Sequence, residues 1–66
     1  MRISKDQIEL IMAQKGLTAV RVAERGGISR QNFSTIKLRG TCTAVTALKI
    51  ARGLDVDPEE IIIRED

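Results

Sequence analysis

The sequence predicts an all-α domain, a compact bundle of about five short helices. Apolar residues recur at three- and four-residue spacing through most of the chain, the period of an amphipathic helix. Ser4, Thr18, Ser29, Thr43 and Asp57 stand just ahead of those runs; their side-chain oxygens are good acceptors for the unpaired N–H groups of a first helical turn. The chain is also short. Its 66 residues make one domain, 1–66, with Phe33 as the sole aromatic residue. A domain of this size buries only roughly 60% of its unfolded surface, so the core must be assembled from small aliphatic side chains on closely packed helices.

The elements follow in order. Ser4-x-x-Gln7 is a capping-box pattern opening the first helix. Ile8, Ile11 and Met12 form its inward stripe, Gly16 ends it, and Lys15 lies where a cation favours the helix dipole. Leu10 lies off the stripe, with the C-terminal segment as its one candidate partner. Leu17 is expected between the first two helices. Thr18 caps the second helix, and Val22 and Ala23 face inward from it, the small Ala23 letting the third helix approach. The third helix runs from Arg30 to about Leu38 behind Ser29, with Phe33 and Ile36 on one inward side. Thr43 caps the fourth, whose stripe reads Ala44, Ala47, Leu48 and Ala51, fit for packing under the first and third helices. Its end lies at Gly53 or Asp55. Asp57-Pro58-Glu59-Glu60 is a strong helix start, with an Asp cap, Pro at the first position and two acids in the first turn. It opens a short fifth helix carrying Ile61 and Ile62.

Within that series, residues 18–39 form a distinct unit. Two short helices are joined through Gly26-Gly27, and the second opens with long polar side chains, which is the helix-turn-helix layout. In such a unit the second helix enters the major groove with its N-terminal residues at the base edges. Charge supports the same direction. Residues 1–53 carry ten Lys and Arg against three carboxylates, a surplus of +7, while residues 54–66 carry one Arg against six carboxylates, a deficit of −5. A basic body with an acidic end suits a polyanion on one side of the molecule.

The segments Gly16-Leu17-Thr18, Val22-Ala23-Glu24-Arg25, Gly27-Ile28-Ser29-Arg30, Leu48-Lys49-Ile50-Ala51 and Asp57-Pro58-Glu59-Glu60-Ile61-Ile62 occur in a set order. That ordered set resembles the Cro/C1-type (XRE) helix-turn-helix family over nearly the whole chain. The resemblance implies a lambda-repressor-like DNA-binding fold and double-stranded DNA as the partner. Carried over position by position, it places Arg30, Gln31 and Thr35 at base edges. It places Lys15, Thr18, Arg21, Ser29, Asn32, Ser34, Lys37, Arg39 and Thr41 as candidates for phosphate contact. It also puts Gly53 inside the fourth helix and Asp55 at its cap, and Asp tolerates the left-handed conformation better than most residues.

The chain departs from the family pattern in three places. Ala19 replaces a glutamine whose amide reaches a phosphate, leaving Arg21 or Lys15 to compensate. Gly26 replaces a larger residue, which predicts a loose end to the second helix. After Ile36 the third helix has one extra residue before Gly40, and the following loop is short and lacks proline.

Other function classes find little support. Cys42 is alone and histidine is absent, so a Cys/His metal site is unavailable and a nucleophilic thiol lacks its usual base. No cofactor, metal or small-molecule ligand is expected, and no enzymatic role. The longest aliphatic run, Ile61-Ile62-Ile63, is far below the ~20 residues of a membrane span. Met1-Arg2-Ile3-Ser4 does not open a signal peptide, so a cytoplasmic protein is expected, with no linker or second domain. The expected function is a sequence-specific transcriptional regulator, a repressor, acting as a homodimer. Its pairing surface is expected at Ile61, Ile62 and Ile63, since a short helix cannot turn three consecutive isoleucines into one core. The alternative is a protein-interaction module, an antitoxin or adaptor, that keeps the fold without specific DNA binding.

Overall fold

The computed structural model describes residues 1–64; Glu65 and Asp66, part of the acidic end, lie outside the described residues. Two-residue strands flank four α-helices: β1 (Arg2–Ile3), α1 (Lys5–Lys15), α2 (Ala19–Gly26), α3 (Arg30–Arg39), α4 (Ala44–Leu54), a single 3-10 turn at Pro58–Glu60, and β2 (Ile62–Ile63). Each helix begins where a hydroxyl was expected to start it. Ser4, Thr18, Ser29 and Thr43 accept from the backbone N–H three residues on, at 3.0–3.3 Å. Gly16, Gly27 and Gly40 close the first three helices at positive φ, and Asp55 closes α4 at φ 59°.

The core gathers Ile3, Ile8, Ile11, Val22, Ala23, Phe33, Ile36, Ala47, Ile50, Ala51, Leu54 and Ile61. Phe33 lies fully buried among aliphatic side chains. Met12 and Leu17 pack at its margin.

The tightest contact joins α2 and α4. Gly26 and Gly53 are both buried within helices, where glycine costs roughly 1 kcal/mol against alanine. Their missing side chains explain their presence. A Cβ on Gly26 would sit 2.4 Å from the Lys49 carbonyl oxygen, and one on Gly53 would sit 2.2 Å from that of Val22. The end of α2 is therefore not loose but pressed against α4. This approach also sets the rotation of α4. With Gly53 turned to α2, the buried stripe is Ala47, Ile50, Ala51 and Leu54, while Ala44, Val45 and Leu48 are exposed. The stripe expected from sequence was turned partly away from the true one. The main neighbour of α4 is α2, followed by the 3-10 turn and α1, rather than α1 and α3.

The fifth helix does not form. Asp57 and Glu60 make a complete capping box, with the Glu60 carboxylate accepting the Asp57 N–H at 3.2 Å. The turn nevertheless stops at Ile61, and Ile62–Ile63 extends to pair antiparallel with β1, in the register Arg2–Ile63 and Ile3–Ile62. β-Branched side chains favour the extended form, and burial falls off along the three isoleucines as the chain leaves the core. Ile61 is fully buried, Ile62 partly so, and Ile63 is 38% exposed. On its other side β1 bridges Thr41. Backbone bonds Ile3 N–H to Gly40 O (2.9 Å), Cys42 N–H to Met1 O (3.0 Å) and Ser4 N–H to Ile61 O (2.8 Å) complete the stitching. Because the Ser4 N–H is engaged with Ile61, the expected Ser4–Gln7 capping box is half made: only the Ser4 hydroxyl is used. Leu10, expected to meet the C-terminal segment, is 51% exposed.

Candidate nucleic-acid interface

The helix-turn-helix unit is built by capping and turn chemistry. Thr18 starts α2 by accepting from the Arg21 N–H at 3.2 Å. Gly27, at φ 77°, reverses the chain, and the Ile28 N–H returns to the Ala23 carbonyl at 3.0 Å. Ser29 then starts α3 by accepting from the Asn32 N–H at 3.0 Å. Only a residue that tolerates positive φ fits the Gly27 position without strain. The half-buried Ile28 packs against the core and fixes the entry to α3.

Burial divides α3 into two sides. Phe33 and Ile36 enter the core, while Arg30, Gln31, Asn32, Thr35, Leu38 and Arg39 are exposed and Ser34 is half-buried. Arg30 and Gln31 occupy the first turn, one helical turn ahead of Ser34 and Thr35. A guanidinium and a carboxamide at the start of a helix can each make bidentate pairs, with guanine and adenine respectively. The three expected base readers thus share the solvent side of one rigid helix. Arg21 and Thr18 are exposed on the first turn of α2, and Thr41 is exposed just beyond α3, held by its bridge to Arg2.

Two of the expected phosphate cations are engaged within the chain. The Lys15 ammonium donates to the carbonyls of Leu54 (2.9 Å) and Asp55 (2.7 Å), capping the C-terminus of α4 rather than projecting freely. Lys37 has only 17% of its side chain exposed; its Nζ lies 3.5 Å from Glu9 Oε1 and 5.4 Å from the centre of the Phe33 ring. This contact fastens α3 to α1. Glu9 was not singled out from sequence, though a signal existed: Lys37 follows Phe33 by four residues and so lies on the flank of the inward side.

Cys42 is partly buried beside the N-terminal strand. Burial pushes its thiol pKa up, with the positive N-terminal amine opposing that shift, so the thiolate needed for nucleophilic work is disfavoured. Among the described residues there is no pocket and no group of three side chains able to hold a metal ion. No helix among them is long and apolar enough to cross a membrane. The candidate interface is a helix surface, not a cleft.

No match was found among curated proteins or among solved structures. A family model described as the Cro/C1-type HTH DNA-binding domain matches residues 7–66, which takes in all four α-helices except the first two residues of α1, together with the 3-10 turn and β2. On that match, and with the capped two-helix unit at its centre, the chain belongs to the Cro/C1-type helix-turn-helix DNA-binding domain family.

Proposed function

We propose that this chain is a sequence-specific transcriptional regulator that reads the major groove with the first two turns of α3. The supporting observation is the division of that helix: Phe33 and Ile36 anchor it, leaving Arg30, Gln31 and Thr35 exposed together. Arg30 reads guanine, Gln31 reads adenine, and Thr35 contacts a base or methyl group one turn later. Arg21, Asn32, Ser34, Arg39 and Thr41 contact phosphates, with Thr18 and Ser29 contributing from the two helix starts. We assign Lys15 and Lys37 chiefly to the fold, since each reaches a phosphate only by sharing or surrendering its internal contacts. Repression by occupancy is the simplest mode of action, because it needs nothing from the protein beyond affinity for its site. Such a regulator works on DNA inside the cell, in the cytoplasm.

The regulator binds as a homodimer. One short helix reads only a few base pairs, and a two-fold pair places half-sites about one helical turn, ~34 Å, apart. Ile61 is buried in its own chain and offers nothing to a second copy. The pairing surface therefore centres on Ile63, with Ile62 beside it on β2. Sedimentation equilibrium with a palindromic site should give a two-to-one complex for the parent and a weakened one for Ile63→Lys. A parent that stays one-to-one, matched by Ile63→Lys, removes the dimer.

Selection of bound sites from a random duplex pool, followed by a salt titration, tests the central reading. A regulator should enrich a defined site and lose affinity steeply with salt as neutralised phosphates release counterions. The internal engagement of Lys15 and Lys37 and the absence of glutamine at Ala19 favour the other reading, an antitoxin or adaptor module. No enriched site and a flat salt response would overturn the regulator reading and favour that module.

A further inference from the structure

Leu38 is 75% exposed, the most exposed large apolar side chain of the described residues. It sits in the last turn of α3, and nothing in the fold uses it. Its direction is set by helical geometry. Seven residues bring the helix back to within about 20° of the same direction, so Leu38 repeats the heading of Gln31. Thr35 lies one turn before it and Ser34 just to the side. Gln31, Ser34, Thr35 and Leu38 thus occupy positions spaced three, four and seven apart, on the side opposite Phe33 and Ile36. The same spacing carries base contacts along the groove-reading helix of the homeodomain. Seven residues of helix span about 10 Å, comparable to the ~12 Å width of the major groove. Leu38 is therefore within the stretch of helix that a groove accommodates, and exposed Arg39 beside it supplies a cation for the flanking phosphate.

A leucine cannot exchange hydrogen bonds with a base edge. The apolar group that the major groove offers is the C5-methyl of thymine. We propose that Leu38 is a specificity-determining residue, packing on a thymine methyl at the end of the read sequence opposite to that met by Arg30. This rests on the DNA-reading function above. It makes α3 a mixed reader, with polar donors at its first turn and an apolar contact at its last, and it gives a role to the extra length of helix before Gly40. A leucine in solvent gains only when it covers another apolar group, so this contact favours thymine over cytosine at a position where hydrogen bonding is silent.

The test replaces each thymine of the selected site in turn by deoxyuridine, which keeps the pairing edge and removes the methyl. Binding of the parent and of Leu38→Ala is then measured on every duplex. One position per half-site should weaken the parent about three- to fivefold, as expected for losing one buried methyl-sized group. Leu38→Ala should be indifferent to uracil there, while retaining the parent's melting temperature and its preferences at the positions of Arg30 and Gln31. If every thymine-to-uracil change affects both proteins equally, Leu38 is not a base reader, although DNA reading by α3 would stand. If Leu38→Ala instead alters sedimentation and leaves base preference unchanged, the residue serves a protein contact and the proposal fails. A parent that enriches no site at all overturns the DNA reading itself, and this inference with it.

Discussion

At the α2–α4 seam two glycines bring backbone to backbone, while on the outer side of α3 the chain sets long polar side chains in solvent. Gly26 and Gly53 contribute by having no Cβ: the Lys49 and Val22 carbonyls occupy the space where one would be. Arg30, Gln31 and Thr35 contribute through the atoms they extend. The seam tolerates almost no change of volume, because interiors are packed like crystals. The outer side of α3 is exposed and tolerates many residues structurally; on the proposed function its constraint is what it recognises. On the proposed function, stability and specificity are lodged in different residues of one helix: the inner side of α3 belongs to the core, and its outer side would meet the partner.

The sharpest break of this division would come from Phe33. Truncation to alanine should cost about 3–5 kcal/mol, comparable to the whole stability of so small a domain. A urea or thermal melt of Phe33→Ala that matched the parent would show that α3 is rotated from its described orientation.

Gly53→Ala comes next. Alanine is the better helix former by roughly 1 kcal/mol, so an exposed site would be stabilised. Here the obstacle is the Val22 backbone, which cannot swing aside, and overpacking should win with a net loss of about 1–3 kcal/mol. A melting temperature at or above the parent's would mean that α2 and α4 lie further apart.

On the outer side the expected effects change kind. Arg30→Ala and Gln31→Ala should each cost about 1–3 kcal/mol on the best site and relax preference at one position per half-site, with the melt unaltered. Uniform weakening of every sequence by Arg30→Ala would demote that residue to a phosphate contact.

The smallest and most discriminating comparison sets Arg39 against Lys37, two residues apart on α3. Arg39→Ala should flatten the salt slope of binding by about one unit and leave stability alone. Lys37→Ala removes an ion pair whose lysine is mostly buried and a ring contact, so it should lower stability by about 1 kcal/mol with the salt slope preserved. The reverse pattern would place the Lys37 ammonium on a phosphate and return Glu9 to solvent.

Much of this division is legible in the residues themselves. Hydroxyl caps at Ser4, Thr18, Ser29 and Thr43, the left-handed closures at Gly16, Gly27 and Asp55, and the inward pair Phe33 and Ile36 depend on contacts within a few residues, so local chemistry determines them. The same locality makes the polar first turn of α3 visible. The end of the chain is different. Asp57-Pro58 starts a turn as local rules demand, yet whether Ile61-Ile62-Ile63 continues as helix depends on Arg2–Ile3, nearly sixty residues away, offering a strand to pair with. A run of three β-branched residues was the available hint. Likewise Gly26 and Gly53 look like weak points until α2 and α4 are brought together, and the rotation of α4 follows from that meeting. Lys15 and Lys37 look like free cations until α4 ends beside one and α1 passes the other. Caps, turns and the exposed polar side of α3 were determined by the sequence alone, because their partners are neighbours in the chain. The seam, the strand pair and the engagement of the two lysines were decided only by the tertiary structure, because each requires a partner whose approach local residues do not encode.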